Sequence, residues 1–237
     1  MTTRRPTPRR IGIYGGTFNP IHHGHLRAAE EVAETLDLER VLFVPSATPP
    51  HKLEEAGDMI APAAERFAWV QLATQDNPRF GVDAVEVERG GTSFLVDTLA
   101  ALRAKQDAAT ELVFLVGSDA FAEMGAWRAP RELFRMAHYA VIVRPPLRDG
   151  HLARWLPEAV RGDVEIAPDG RSGRHRDAGT QIWLTPIAGL AVSSSAIRRR
   201  LQAGRSVRYL LPEPVHRAVL ASGVYLDVRQ HPGGRSA

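Results

Sequence analysis

The stretch "IGIYGGTFNPIHHGH", Ile11–His25, decides the fold. It opens as a short apolar run, passes through Gly15-Gly16 and ends in a polar segment crowded with histidine. An apolar strand feeding a glycine turn and then a helix is how a βαβ unit begins. Gly15 and Gly16 let the backbone come close to a bound group and reach conformations barred to other residues. The helix expected from about Gly24 aims its free N–H groups and positive dipole end at the same crevice. Together these parts form an anion site suited to nucleotide phosphates. It is neither of the two common fingerprints, since GxGxxG and the lysine-bearing GxxxxGK[ST] are both absent.

Outward from this junction, short apolar runs alternate with helix-period segments. Strands are predicted at Ile11–Tyr14, Val41–Val44, Val82–Val87, Leu112–Val116, Tyr139–Val143 and Ile182–Leu184. Helices are predicted at His25–Leu36, Ala64–Thr74, Phe94–Lys105, Pro130–Met136, Leu152–Val160, Ser194–Ala203 and Glu213–Ala221. Runs of Val, Ile, Leu and Phe with little alternation suit a sheet buried on both faces. The expected class is therefore α/β, a doubly wound parallel sheet of Rossmann-like type with a small C-terminal helical portion. No repeat of 20–50 residues and no linker between two cores is evident. One domain is expected over residues 11–228, with a mobile basic tail at 1–10 and a further tail at 229–237. The polar, Pro-rich loop Pro45–Met59 follows a strand directly, where open α/β sheets place their ligands. Gly170–Gly179 is expected to be disordered.

Composition narrows the function. The chain has 237 residues, 44% hydrophobic and 24% charged, enough for a sizeable core. With no cysteine, disulfides, iron–sulfur clusters and thiolate metal sites are excluded. No apolar run approaches the ~20 residues of a membrane span. "MTTRRPTPRR" has no apolar segment of the kind a secretory signal needs, so cytoplasmic residence is expected. The net charge is +3, and Lys52 and Lys105 are the only lysines. Part of the positive charge sits in Arg4–Arg10 and Gly170–Asp177, which read as solvated segments, with polyanion binding as the alternative.

His22 and His25 are three apart and share one face at the helix start. Imidazoles there can donate to phosphate oxygens and to charge developing on a transferring phosphoryl group. Capping or surface roles remain open, as does zinc through His-x-x-His, although no cysteine or clear third ligand accompanies the pair. In "AVSSSAIRRRL", Ala191–Leu201, Ser193–Ser195 stand where a helix N-cap would, ahead of Ile197 and Leu201. Hydroxyls, free N–H groups and Arg198 make a second phosphate cradle; a plain serine cap with a solvated arginine run is the alternative.

"GGTFNPIHHGH" resembles the signature of the HxGH nucleotidyltransferase superfamily, and "SSSAIR" resembles its second signature. More narrowly, the chain is similar to bacterial nicotinate mononucleotide adenylyltransferases through "VPSATPPHK", "VEVERGGTSFLVDTL", "FLVGSDAFAEMGAW", "VIVRPP" and "VRYLLPEPV", in order and spacing. The resemblance implies adenylyl transfer from ATP to nicotinate mononucleotide, with Mg²⁺ carried on the ATP phosphates, no nucleic acid and no membrane. It implies that His22 and His25 contact the ATP phosphates, His25 nearest the α-phosphate, with Arg198 as a third catalytic group. Gly15, Gly16, Thr17 and Phe18 would admit both substrates' phosphates to the backbone. Gly117 and Asp119 would hold the ATP ribose, while Ser194, Ser195, Ile197 and Arg198 would grip the β- and γ-phosphates. On the mononucleotide side it implies Lys52 at the phosphate, Trp127 stacked on the pyridine ring and Leu95 near its carboxylate. Three departures stand out: Asn19 where aspartate is common, Ser195 for a usual threonine, and Phe94-Leu95 where Tyr-Thr is frequent. The nearest rival is another HxGH transferase, such as pantetheine-phosphate adenylyltransferase; a non-catalytic nucleotide-binding module is the rival of another class. Monomer and homodimer are both open.

Overall fold

The computed structural model describes residues 9–49, 59–144 and 150–226. Along the chain come β1 (Arg10–Gly16), α1 (His23–Leu36), β2 (Arg40–Pro45), α2 (Ala63–Thr74), β3 (Phe80–Val82), α3 (Val85–Arg89), α4 (Leu95–Ala104) and β4 (Glu111–Gly117). They are followed by α5 (Ser118–Glu123), α6 (Pro130–Met136), β5 (His138–Val143), α7 (Glu158–Arg161), β6 (Val164–Ile166), β7 (Ser172–His175), β8 (Gln181–Pro186), α8 (Ser194–Gln202) and α9 (Glu213–Ser222). The strands form one sheet in the order β3-β2-β1-β4-β5-β8-β7-β6. It is parallel from β3 to β8 and antiparallel across β8–β7–β6.

Both faces of the sheet are buried, and the period-2 alternation of side chains sorts them. Ile11, Ile13, Leu42, Val44, Leu112, Phe114, Tyr139 and Val141 pack on one side with Leu99, Leu102 and Phe121. Val41, Phe43, Val113, Leu115, Ala140 and Ile142 pack on the other with Val32, Val70, Ile197 and Val215. The chain leaves β1 toward β2 and β3, then returns to lay β4 on β1's other edge. Strand order reverses there, so a crevice opens at the carboxyl ends of β1 and β4. No helix among the described residues is long and apolar enough to cross a membrane.

Four expectations change. The strand expected at Val82–Val87 stops at Val82, and Val85–Arg89 is helical. The Asp83 carboxylate accepts the Val85 N–H at 2.9 Å, turning the chain into that helix despite its β-branched residues. The helix expected at Leu152–Val160 splits into a 3₁₀ turn, Leu152–Arg154, and α7. Pro157, which has no N–H to donate, stands between them. Gly170–Gly179 is ordered and carries β7: its polar residues serve the local backbone, with Asp169 accepting the Arg171 N–H and the buried His175 Nδ1 accepting the N–H groups of Asp177 and Ala178. Finally, Gly15 and Gly16 stay in β1, paired with Val44 and Pro45. Neither has a positive φ; the left-handed residue of this turn is Phe18, at φ 48. The glycines are needed for space, since a Cβ would meet the Phe114 ring at 3.2 Å from Gly15 and the Phe18 ring at 3.1 Å from Gly16.

Candidate active site

Two cavities flank the chain between β1 and α1. The first, ≈ 360 Å³, is lined by Gly15, Gly16 and Thr17, by Ser46 and Pro49 after β2, and by Phe94, Leu95, Phe114, Trp127 and Arg128. Among the described lining residues, three aromatic side chains and little charge suit a flat ring. The charged groups in its wall are Glu86, whose carboxylate accepts the Thr98 hydroxyl at 2.6 Å, and Arg128, whose guanidinium lies 4.9 Å over the Phe94 ring.

The second cavity, ≈ 450 Å³, is lined by His22, Gly24, Arg144, the 187–193 segment and Ala196. The N-termini of α1 and α8 both open onto it, with His22 and Ser193 as their N-caps. The Ser193 hydroxyl accepts the Ala196 N–H at 3.2 Å. Two helix N-termini and an exposed arginine around one cavity are an arrangement for a polyanion. Glu31 of α1 fixes the far wall by accepting the N–H groups of Ala188 and Gly189 at 2.6 and 3.1 Å. Burial opposes its charge, but those two donors and Arg27 hold the carboxyl below its ordinary range.

His22 and His25 stack at 3.7 Å between ring centres. His22 is buried, and desolvation together with Arg144 pushes its pKa down to about 4. It is neutral at physiological pH. His25 Nδ1 accepts the His22 N–H at 3.2 Å. A neutral imidazole with Nδ1 as acceptor carries its proton on Nε2, so His25 presents a donor there. Among the described residues, no group of three or more His, Asp or Glu side chains could hold a metal ion.

The other expected residues are placed as follows. Phe18 is buried, its ring edge-on to Tyr14 and His25. Gly117 caps α5 and Asp119 is exposed in its first turn; neither lines either cavity. Trp127 and Leu95 line the first cavity, and Lys52 lies outside the described residues. The Ser194 hydroxyl donates to the Pro20 carbonyl at 2.9 Å, and Ser193 and Ser195 hydroxyls lie 3.4 Å apart. Ile197 is core, and Arg198, 3% exposed, donates to the Asn19 carbonyl at 2.8 Å.

Sequence reading passed over three groups. Arg144 ends a strand at the crevice, a position that could have flagged it. Asn19, 1% exposed, was noted only as a departure; its Nδ2 donates to Met59 and its Oδ1 accepts from Ala61 N–H and the Tyr225 hydroxyl. Arg66 is a lone arginine on the buried face of α2.

A family model described as cytidylyltransferase-like matches residues 13–200. A protein of Geobacter metallireducens named a probable nicotinate-nucleotide adenylyltransferase is 41% identical over 93% of this chain and 100% of its own length. One of the same name from Chromohalobacter salexigens is 40% identical over 95% of this chain and 100% of its own. The solved Plasmodium falciparum nicotinic acid mononucleotide adenylyltransferase complexed with NaAD superposes with a TM-score of 0.65 at 14% identity, covering 92% of this chain and 97% of that one, which shows a shared fold. The histidine pair, the glycine turn and the two cavities thus sit in a chain that belongs to the cytidylyltransferase-like family and, within it, to the nicotinate-nucleotide adenylyltransferases.

Proposed function

We propose that the protein transfers the adenylyl group of ATP to nicotinate mononucleotide, forming nicotinate adenine dinucleotide and pyrophosphate for NAD biosynthesis. The observation that carries this is the placement of two unlike cavities, one aromatic and one electropositive, on either side of a single strand-to-helix turn. The aromatic cavity takes the mononucleotide, with Trp127 and Phe94 against the pyridine ring. The electropositive one takes the triphosphate, with Arg144 and the starts of α1 and α8 around it.

In this reading a 5′-phosphate oxygen of the mononucleotide attacks the α-phosphorus of ATP. The bond from the α-phosphorus to the bridging oxygen breaks, and that oxygen leaves on pyrophosphate. The attacking phosphate is already ionised, so no general base is needed. Catalysis is positioning plus stabilisation of charge. His25 donates from Nε2 toward the oxygens of the reacting phosphorus, and neutral His22 braces it by stacking. ATP enters as its magnesium complex, in which the ion neutralises charge on the leaving pyrophosphate. Gly117 and Asp119 take the ribose and Lys52 the mononucleotide phosphate. The carbonyl-bound state of buried Arg198 and half-buried Ser194 supports their holding the turn in place, with the α8 N–H groups facing the β- and γ-phosphates. The continuous sheet supports one domain over 11–228, and cytoplasmic residence is part of the same proposal.

The test is pyrophosphate release from ATP and Mg²⁺ with nicotinate mononucleotide, nicotinamide mononucleotide or phosphopantetheine. Release with the first substrate is expected. No release with either mononucleotide overturns the reading.

A further inference from the structure

Arg66 lies on the buried face of α2 and is 1% exposed. Its Nε donates to the Ala61 carbonyl at 2.8 Å, its Nη1 to the Thr17 carbonyl at 2.7 Å and its Nη2 to the Ala47 carbonyl at 2.9 Å. Among the described residues these three main-chain oxygens are its hydrogen-bond partners, and no carboxylate lies within ion-pair distance. Each oxygen belongs to a different segment: the entry to α2, the β1–α1 turn, and the chain leaving β2. Asn19 grips the same Ala61 from the other side, accepting its N–H at 3.0 Å. With Glu86 acting on it only from beyond ion-pair distance among the described residues, so buried an arginine is a poor choice for stability alone, because apolar packing of the same volume costs less desolvation. A planar fork that reaches three divergent carbonyls is what arginine offers and lysine does not.

Two of those carbonyls sit in segments that line the first cavity. Thr17 lines it directly, and Ala47 stands between Ser46 and Pro49, which also line it. Ala61, Thr17 and Ala47 do not line the second cavity; of their segments only the β1–α1 turn reaches it, at His22. We infer that Arg66 is a positioning residue for mononucleotide recognition, fixing the spacing between the β1–α1 turn and the segment after β2. This rests on the reading of the first cavity as the mononucleotide's.

The test compares Arg66→Lys and Arg66→Gln with Arg103→Gln. Arg103 also donates to a carbonyl, that of Thr110 at 2.7 Å, but at the amino end of β4, away from the site. Steady-state pyrophosphate release is measured with each substrate varied in turn, beside thermal unfolding. Expected for R66Q is a KM for the mononucleotide raised about tenfold, with KM for ATP within about twofold of the wild type. R66K, able to reach one carbonyl at a time, falls between, and R103Q leaves both KM values unchanged. A parallel rise in the two KM values, or no rise in either, overturns the inference. So does a loss of folded protein in both Arg66 variants, which would assign the residue to the fold. A wild type that releases no pyrophosphate overturns the functional reading and this inference with it. A working wild type with no split counts against Arg66 alone.

Discussion

His25 owes its donor to one backbone contact. Because Nδ1 accepts the His22 N–H, the proton of the neutral ring sits on Nε2. His25→Ala is therefore expected to lower kcat by about 10²-fold or more, the scale of losing one preorganised donor. Steady-state kinetics with both substrates saturating checks it; near-normal turnover removes histidine from the chemistry. His22 carries a different prediction. Its folded-state pKa is about 4 against 6.5 in an ordinary setting, chiefly through burial. Between those values the unfolded chain binds a proton that the folded chain does not, so acidification favours unfolding. This part of the stability is present above pH 6.5 and is lost as pH falls toward 4, approaching roughly 3 kcal/mol. Urea unfolding from pH 7.5 to 4.5 should show His22→Gln losing less stability over that window than the wild type. Equal slopes would mean that His22 is not buried and neutral in the folded protein.

At the scale of elements, α1 does more than start at the site. Its middle carries Glu31, which holds the 187–193 segment by two backbone donors and so shapes the wall of the second cavity, the one proposed for the triphosphate. Glu31→Gln keeps the side chain's size but weakens both bonds by removing the charge. KM for ATP is expected to rise about fivefold while KM for the mononucleotide holds, the mirror image of Arg66. The same elements show what a sequence discloses. β1, α1 and α8 were legible because apolar period, glycine and serine cap signals agree at their boundaries. α3 was not, because Val85 and Val87 alternate with glutamates as a strand would, and only the Asp83 contact bends the chain. The β6–β7 hairpin was hidden by a polar composition whose hydrogen bonds close locally. Among the candidate site residues, His22 and His25 are singled out by their spacing. Asn19 reaches the Met59 carbonyl and Arg66 those of Thr17 and Ala47, all distant in sequence, which no local pattern encodes.

Across the whole molecule, the reversal of strand order at β1 opens both cavities at one edge of the sheet. Each cavity is formed before the other is filled, because its walls are tied by protein groups: Arg66 and Asn19 on one side, Glu31 and the α8 cap on the other. A ligand that had to be present for the other site to form would need walls left loose without it. Preformed sites of this kind take their ligands in either order. The measurement is thermal unfolding with nicotinate mononucleotide, with an ATP analogue that cannot be cleaved at the α-phosphorus, and with both. A ligand at a hundred times its Kd stabilises the folded state by about 2.7 kcal/mol. For a chain of this size that is a rise in Tm of about 5–10 °C for each ligand alone. The pair together should give more than either, since the two cavities share only the turn between β1 and α1. A mononucleotide that raises Tm only when the analogue is present would show instead that the triphosphate builds the second site, and that binding is ordered.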